Sequence, residues 1–244
     1  MITRLSVNIN KVATLRNSRN QNVPNLLKVA QDIEKFGAQG ITVHPRPDQR
    51  HIYYKDVERL KGVVSKEFNI EGNPTKEFMD LVIHVKPTQV TLVPDKKEDI
   101  TSTMGWDTRA HESFLKEIIQ ELHKHGIRSS IFLDPTIQFI ESAARTQAKA
   151  IEFHTKEYAL TYVKGDKKKA IDPYIKTAKR ALDHGLEIHA GHDLNLDNIK
   201  FLIKEIPEIS EVSIGHALIC EALYMGLEHV VKEYLKKIQE ALKE

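Results

Sequence analysis

The chain reads as an α/β protein, a closed (β/α)8 TIM barrel with a parallel eight-stranded sheet, one domain spanning residues 1–244. Three observations predict this. Eight short β-branched runs recur along the sequence, amphipathic stretches of helical period separate them, and 244 residues is a length at which eight such units close on themselves. Repeated strand-then-helix units need crossover connections, and crossovers make the sheet parallel. An open doubly wound sheet is the structural rival, but it carries a glycine-rich fingerprint after its first strand, where this chain has "NINKVATLRNSR".

The first strand is "RLSVNI" (4–9), and the stretch 10–23 after it is longer than a barrel connection needs. In "NLLKVAQDIEKFG" (25–37), Leu26, Leu27, Ala30, Ile33 and Phe36 recur at helical spacing and Gly37 supplies the stop. Strands two to four are "GITVH" (40–44), "FNIEG" (68–72) and "QVTLVP" (89–94). A second long connection, 95–106, follows; long loops on the catalytic face of a barrel serve as lids. "HESFLKEIIQELHKHG" (111–126) is again helical, then come strands "RSSIFLD" (128–134) and "AIEFHT" (150–155). "KGDKKKA" (164–170) reads as a solvated charged loop. Strands "LEIHAGH" (186–192) and "EVSIGH" (211–216) complete the set, and "LEHVVKEYLKKIQEALKE" ends the chain as a helix.

Thirty-six Lys and Arg against 34 Asp and Glu leave a formal charge of +2, too weak a field to point to nucleic acid or an acidic membrane. The single Cys220 excludes an internal disulfide, fits a reducing compartment and is read as a packing residue. No apolar run has the length of a signal peptide or a membrane span, so a cytoplasmic location is expected.

The ends of barrel strands carry the chemistry. Here they bear Asn8, His44, Glu71, Pro94, Asp134, Glu152 with His154, His192 and His216. Alternation along a strand puts Glu152 and His154 on one face, and Glu71 opposite Ile70. A Glu71 facing the mouth would be desolvated toward a usable base, and imidazoles near neutrality give or take protons. Taken singly, each residue is explained as a hydrogen-bonded structural group. Together on one rim they are not, because each buried polar group costs free energy unless partnered.

"GHDLN" and "GHALI" after strands seven and eight suit a phosphate, through glycine backbone and a helix N-terminus. Arg16, Arg19, Arg46, Arg50 and His51 suggest a second anion site, although a solvated basic surface is the ordinary explanation. Two anion sites flanking acids and bases suit a reaction that joins two phosphorylated molecules. Metal dependence is not expected: no His-Glu-x-x-His is present, and "HAGH" places His189 and His192 on opposite sides of a strand.

"VNINKVATLRNSR", "GITVHPRPDQRHI", "NIEGNPT", "LVPDKKEDITS", "IEFHT", "AGHDLN" and "IGHALI" together resemble, nearly end to end, the motifs of the pyridoxine 5'-phosphate synthase family. The resemblance implies a TIM-barrel transferase of vitamin B6 biosynthesis. It would condense 1-deoxy-D-xylulose 5-phosphate with 3-amino-2-oxopropyl phosphate, needing no cofactor and no metal. It also implies a homo-oligomer, an octamer built as a tetramer of dimers. By the same resemblance His44 and Glu71 match general bases, His192 the general acid, and Glu152 a carboxylate that stabilises charge. Asn8, Arg19, Gly215 and His216 match contacts to the aminoketone phosphate; Arg46, His51 and Thr101 match contacts to the deoxyxylulose phosphate.

Three positions depart from many members. Asn10 and Lys11 stand where Asp-His is common, and Asp193 where Gly is common. All three are kept as substrate-binding positions. A carboxylate at Asp193 is repulsive to phosphate unless its side chain turns away, for instance to cap the next helix. The competing readings are a phosphosugar isomerase or epimerase on the same fold, which needs only one anion site, and a non-catalytic phosphate- or vitamer-binding barrel.

Overall fold

A computed structural model describes residues 3–19, 21–96, 99 and 101–243. Its elements run β1 (Arg4–Asn8), α1 (Asn10–Asn17), α2 (Leu26–Lys35), β2 (Gly40–Val43), α3 (Tyr54–Lys61), β3 (Glu67–Gly72), α4 (Lys76–Val85) and β4 (Gln89–Leu92). Then follow α5 (Glu112–Lys124), β5 (Arg128–Leu133), α6 (Ile140–Arg145), β6 (Ala150–His154), α7 (Lys156–Val163) and α8 (Lys167–Asp183). Last come β7 (Glu187–Gly191), α9 (Ile199–Glu205), β8 (Ile209–Ile214), α10 (His216–Met225) and α11 (Leu227–Ala241). The strands pair in sequence order and β8 closes parallel onto β1, giving the expected closed barrel.

Every strand lies within two residues of its sequence reading, because the period-two pattern is unusually clean. Leu5, Val7, Ile41, Val43, Phe68, Ile70, Val90, Leu92, Ile131, Leu133, Ile151, Phe153, Ile188, Ala190, Val212 and Ile214 are all buried and turn outward to the helices. The main core is therefore the shell between sheet and helices, and α2 supplies Leu26, Ala30 and Ile33 to it. Alternation leaves the polar residues for the barrel interior, where a TIM barrel ordinarily packs Val, Ile and Leu.

That interior is hydrogen-bonded across strands. The Ser6 and Thr42 hydroxyls lie 2.7 Å apart, Asn69 Nδ2 donates to Thr42 at 3.3 Å, Thr91 Oγ1 donates to Asn69 Oδ1 at 3.1 Å, and the same hydroxyl reaches Glu152 Oε2 at 3.4 Å. Beneath this tier Arg4 and Arg128 bind Glu67 and Glu211, at 3.6 and 3.2 Å for Arg4 and 2.8 and 3.7 Å for Arg128. Above it lies the mouth.

Three local readings change. Residues 10–17 form α1 rather than open loop: Asn8 Oδ1 accepts the Asn10 N–H at 3.0 Å, so the chain turns into a helix as soon as β1 ends. The lysine-rich 164–170 segment is half helix, because the Asp166 side chain accepts the Lys169 N–H and starts α8. Cys220 is exposed on α10, not packed. Among the described residues, no helix is long and apolar enough to cross a membrane.

Candidate active site

A cavity of about 190 Å³ opens at the C-terminal ends of the strands. Thirteen of the fourteen site residues expected from sequence line it: Asn8, Asn10, Lys11, His44, Arg46, His51, Glu71, Thr101, Glu152, His192, Asp193, Gly215 and His216. The exception is Arg19, exposed just beyond the end of α1. Sequence reasoning missed Val93, Ser102, Phe132 and Ser213 in the wall. The register could have supplied Ser213, two residues before Gly215 on the same inward face of the β8 segment.

Glu71 and Glu152 form the acidic side. Glu71, inward on β3, takes a long hydrogen bond from Asn8 Nδ2 (3.4 Å) and sits 3.8 Å from His44 Nδ1. Burial raises its carboxyl well above the usual range, and the charges of Glu152 and Asp95 push the same way against Arg46. Burial likewise raises Glu152 to about 7, with the Thr91 hydroxyl opposing. A side chain at 191 would displace the Glu152 carboxylate, since a Cβ would come 2.3 Å from Glu152 Oε1.

The basic side comes from the first two strand-loop units. Asn10 Oδ1 accepts the backbone N–H of His44 at 2.9 Å, tying the start of α1 to the end of β2. His44 is held well below the usual imidazole range by burial, then by Arg46, His51 and Arg50. His51 is lowered to about 4 by burial, Arg46, Lys11 and Arg50, with Asp48 opposing. Such a concentration of positive charge suits a bound anion. Arg46 itself donates to Asp95 Oδ2 at 2.6 Å and to the Asp99 carbonyl at 2.9 Å, and Ser102 also donates to Asp95 at 2.8 Å. These bonds draw the fourth loop over the cavity; of its residues 97, 98 and 100 lie outside the described ones.

Arg16 does not serve the anion site. It is buried, bonded to Asp56 at 2.7 and 2.8 Å and to the His51 carbonyl at 3.2 Å, so its guanidinium is committed to the protein.

On the far side, Gly215 and His216 line the cavity at the start of α10, where a helix leaves its first backbone N–H groups without intrahelical partners. A side chain at 215 would press on Asn8, its Cβ 3.1 Å from that of Asn8. His192 Nε2 meets Thr101 Oγ1 at 3.0 Å, joining β7's end to the fourth loop.

Two expectations at the "HAGH" stretch are overturned. His189 and His192 do not part to opposite sides: β7 ends at Gly191, and His192 turns at φ +84° to lie over the mouth. His189 remains buried in the barrel floor near Arg128 and Arg4, which with burial hold it well below the usual imidazole range. Asp193 does not cap the next helix, since Asn198 occupies that position; its carboxylate instead lies 3.1 Å from His192 Nδ1. Among the described residues, no group of three or more His, Cys, Asp or Glu is placed to hold a metal ion.

Solved structures share this architecture. A thiamine phosphate pyrophosphorylase from Pyrococcus furiosus superposes with TM-score 0.60 at 11% identity over 99% of this chain and 97% of its own. A phosphoribosyl anthranilate isomerase gives 0.59 at 14% identity over 98% and 100%. At such identities only the fold is shared. Sequence relatives say more. The chain is 58% identical over 238 residues to a pyridoxine 5'-phosphate synthase of Flavobacterium johnsoniae, covering 98% of this chain and 100% of the relative. It is 55% identical to one of Christiangramia forsetii with the same coverage. Residues 5–240 match the family model described as pyridoxal phosphate biosynthesis protein PdxJ, and the chain belongs to that family.

Proposed function

We propose that the chain is a pyridoxine 5'-phosphate synthase, condensing 1-deoxy-D-xylulose 5-phosphate with 3-amino-2-oxopropyl phosphate to give pyridoxine 5'-phosphate, phosphate and water. The observation that carries this reading is the placement of Glu71, His44, Glu152 and His192 in one cavity, between a basic wall and a helix N-terminus. The two flanks give a separate seat to each phosphate.

The reaction adds an amine to a ketone, expels water, eliminates a phosphate and closes a carbon–carbon bond. Each step moves a proton, so several acid–base groups must share one pocket. Glu71 and His44 are assigned as bases. The desolvation that raises Glu71 also makes its carboxylate a stronger proton acceptor than an exposed one. His192 is assigned as the acid that protonates the departing hydroxyl, and Glu152 as the carboxylate that answers positive charge on nitrogen. Asn8, Gly215 and His216 would hold the aminoketone phosphate, the last two through the start of α10, with Arg19 swinging in from the end of α1. Arg46, His51 and Thr101 would hold the deoxyxylulose phosphate.

Asn10 and Lys11 line the same wall. Asn10 keeps its bond to the His44 backbone with an amide oxygen, and Lys11 offers a point charge to an anion. The fourth loop would exclude water from imine and enol intermediates. Octameric assembly is proposed on the resemblance, and Leu223 and Tyr224 on α10, 74% and 94% exposed, supply apolar surface for it.

The test supplies both phosphorylated substrates and follows pyridoxine 5'-phosphate. Interconversion of one sugar phosphate without condensation would replace this reading with an isomerase. His192→Ala is expected to slow product formation by about 10²–10⁴-fold while substrate binding changes little. Comparable losses in both would contradict the role.

A further inference from the structure

We propose that Asp193 is a positioning residue: its carboxylate holds the Nδ1 edge of the His192 imidazole so that Nε2 presents the transferable proton to the cavity. The proposal rests on the reading of His192 as general acid and adds a residue that acts through it.

The His192 ring is gripped at both ends. Nδ1 lies 3.1 Å from Asp193 Oδ2, and Nε2 lies 3.0 Å from the Thr101 hydroxyl. Its flank packs edge-on against the ring of His154, centroids 4.8 Å apart at 88°, and His154 is anchored by Asp134 at 2.9 Å. Sideways movement is therefore blocked, and rotation would cost both end contacts.

The backbone sets this up. His192 (φ +84°) and Asp193 (φ +58°) are consecutive non-glycine residues in the left-handed region. Few side chains tolerate it, aspartate among them. The turn folds the Asp193 carboxylate back onto the preceding ring. Because the two residues are adjacent, the N–H cannot point straight at the oxygen, and the contact is an ion-pair distance rather than an aligned hydrogen bond. Nδ1 is buried and has no aligned hydrogen-bond partner among the described residues, so Asp193 is the group that offsets its polarity. The same contact with His192 holds the Asp193 carboxyl below its usual range, with burial opposing and His192, Lys156 and His154 charges assisting. The group is thus a carboxylate throughout the neutral range.

With both ring nitrogens protonated, the Nε2–H bond breaks as an O–H bond forms on the departing hydroxyl, which leaves as water. The neutral imidazole keeps its remaining proton on Nδ1, facing Asp193, and the carboxylate takes up no proton. Nε2 is left as the acceptor for the next proton. A carboxylate that fixes tautomer and orientation in this way leaves the chemistry to the ring.

The test compares Asp193→Asn and Asp193→Gly with the parent chain. Asparagine tolerates the left-handed backbone and keeps the shape; glycine relaxes the backbone, so neither variant is expected to unfold. Ring ¹⁵N shifts of His192 in the ligand-free protein report the tautomer, and steady-state kinetics separate kcat from KM. The expected result in both variants is a neutral ring that loses its Nδ1–H bias, with kcat lowered about 10- to 100-fold and KM for either substrate within about twofold. An unchanged tautomer in both variants overturns the proposal, whatever happens to kcat. A tautomer that shifts while kcat stands still supports the pairing and overturns the general-acid reading of His192 instead.

Discussion

Glu71 Oε2 stands 3.8 Å from His44 Nδ1, and burial drives the two groups toward their uncharged forms, raising the carboxyl and lowering the imidazole. Glu152 and Asp95 add to the first shift; Arg46, His51 and Arg50 add to the second. Both shifts thus favour the neutral form of each group over the charged one in the ligand-free site.

Glu71→Gln keeps the shape and removes the titration. It is expected to lower kcat by about 10²–10⁴-fold with little change in KM. The acid limb of the parent pH–rate profile, where activity rises as Glu71 loses its proton, should vanish from the residual activity. Full turnover in this variant would return the non-catalytic barrel to consideration.

Glu152 makes a stability prediction. Its folded carboxyl is raised from 4.5 to about 7, so the folded state binds the proton more tightly than the unfolded state. The stability it contributes is complete below about pH 4.5 and is lost as pH rises through about 7. Glu152→Gln escapes this loss. Thermal melts of the ligand-free protein should show the variant gaining on the parent between pH 5 and 8, by up to roughly 3 kcal/mol. A difference independent of pH would refute the assignment.

Arg16→Met tests whether Arg16 holds the fold rather than an anion. It leaves Asp56 buried without its partner and is expected to cost about 3–5 kcal/mol in denaturant unfolding. KM for both phosphorylated substrates should stay within about twofold, since Arg16 does not line the cavity.

Tyr224→Glu addresses assembly. Eight copies of the 27.9 kDa chain weigh about 223 kDa. Light scattering should find that mass for the parent and a smaller particle for the variant, because a charge on a 94% exposed tyrosine is harmless to a lone subunit but costly within an apolar contact.

Much of this was legible in the sequence because local patterns and global fold agree. "RLSVNI" and "FNIEG" alternate so strictly that strand, face and inward-pointing Asn8 and Glu71 follow together. What was not legible depends on pairing across the chain. The commitment of Arg16 to Asp56 spans 40 residues, and a run of basic residues cannot reveal it. Arg46 and Asp95 likewise meet only when the fourth loop lies over the second. The turn at His192 escaped for another reason: a strand pattern assumes continuing alternation, and the left-handed residues that end it are His192 and Asp193 rather than the adjacent Gly191.

The division of labour between the two faces of the sheet has a consequence for divergence. Cohesion resides in the sleeve where Val7, Ile41, Ile70, Phe153 and Ile214 meet the helices, while the lumen is furnished with hydroxyls, amides and carboxylates such as Ser6, Asn69 and Glu152. Lineages of this scaffold can accordingly refurnish the lumen, trading one reaction for another, while the sleeve continues to hold the staves in place.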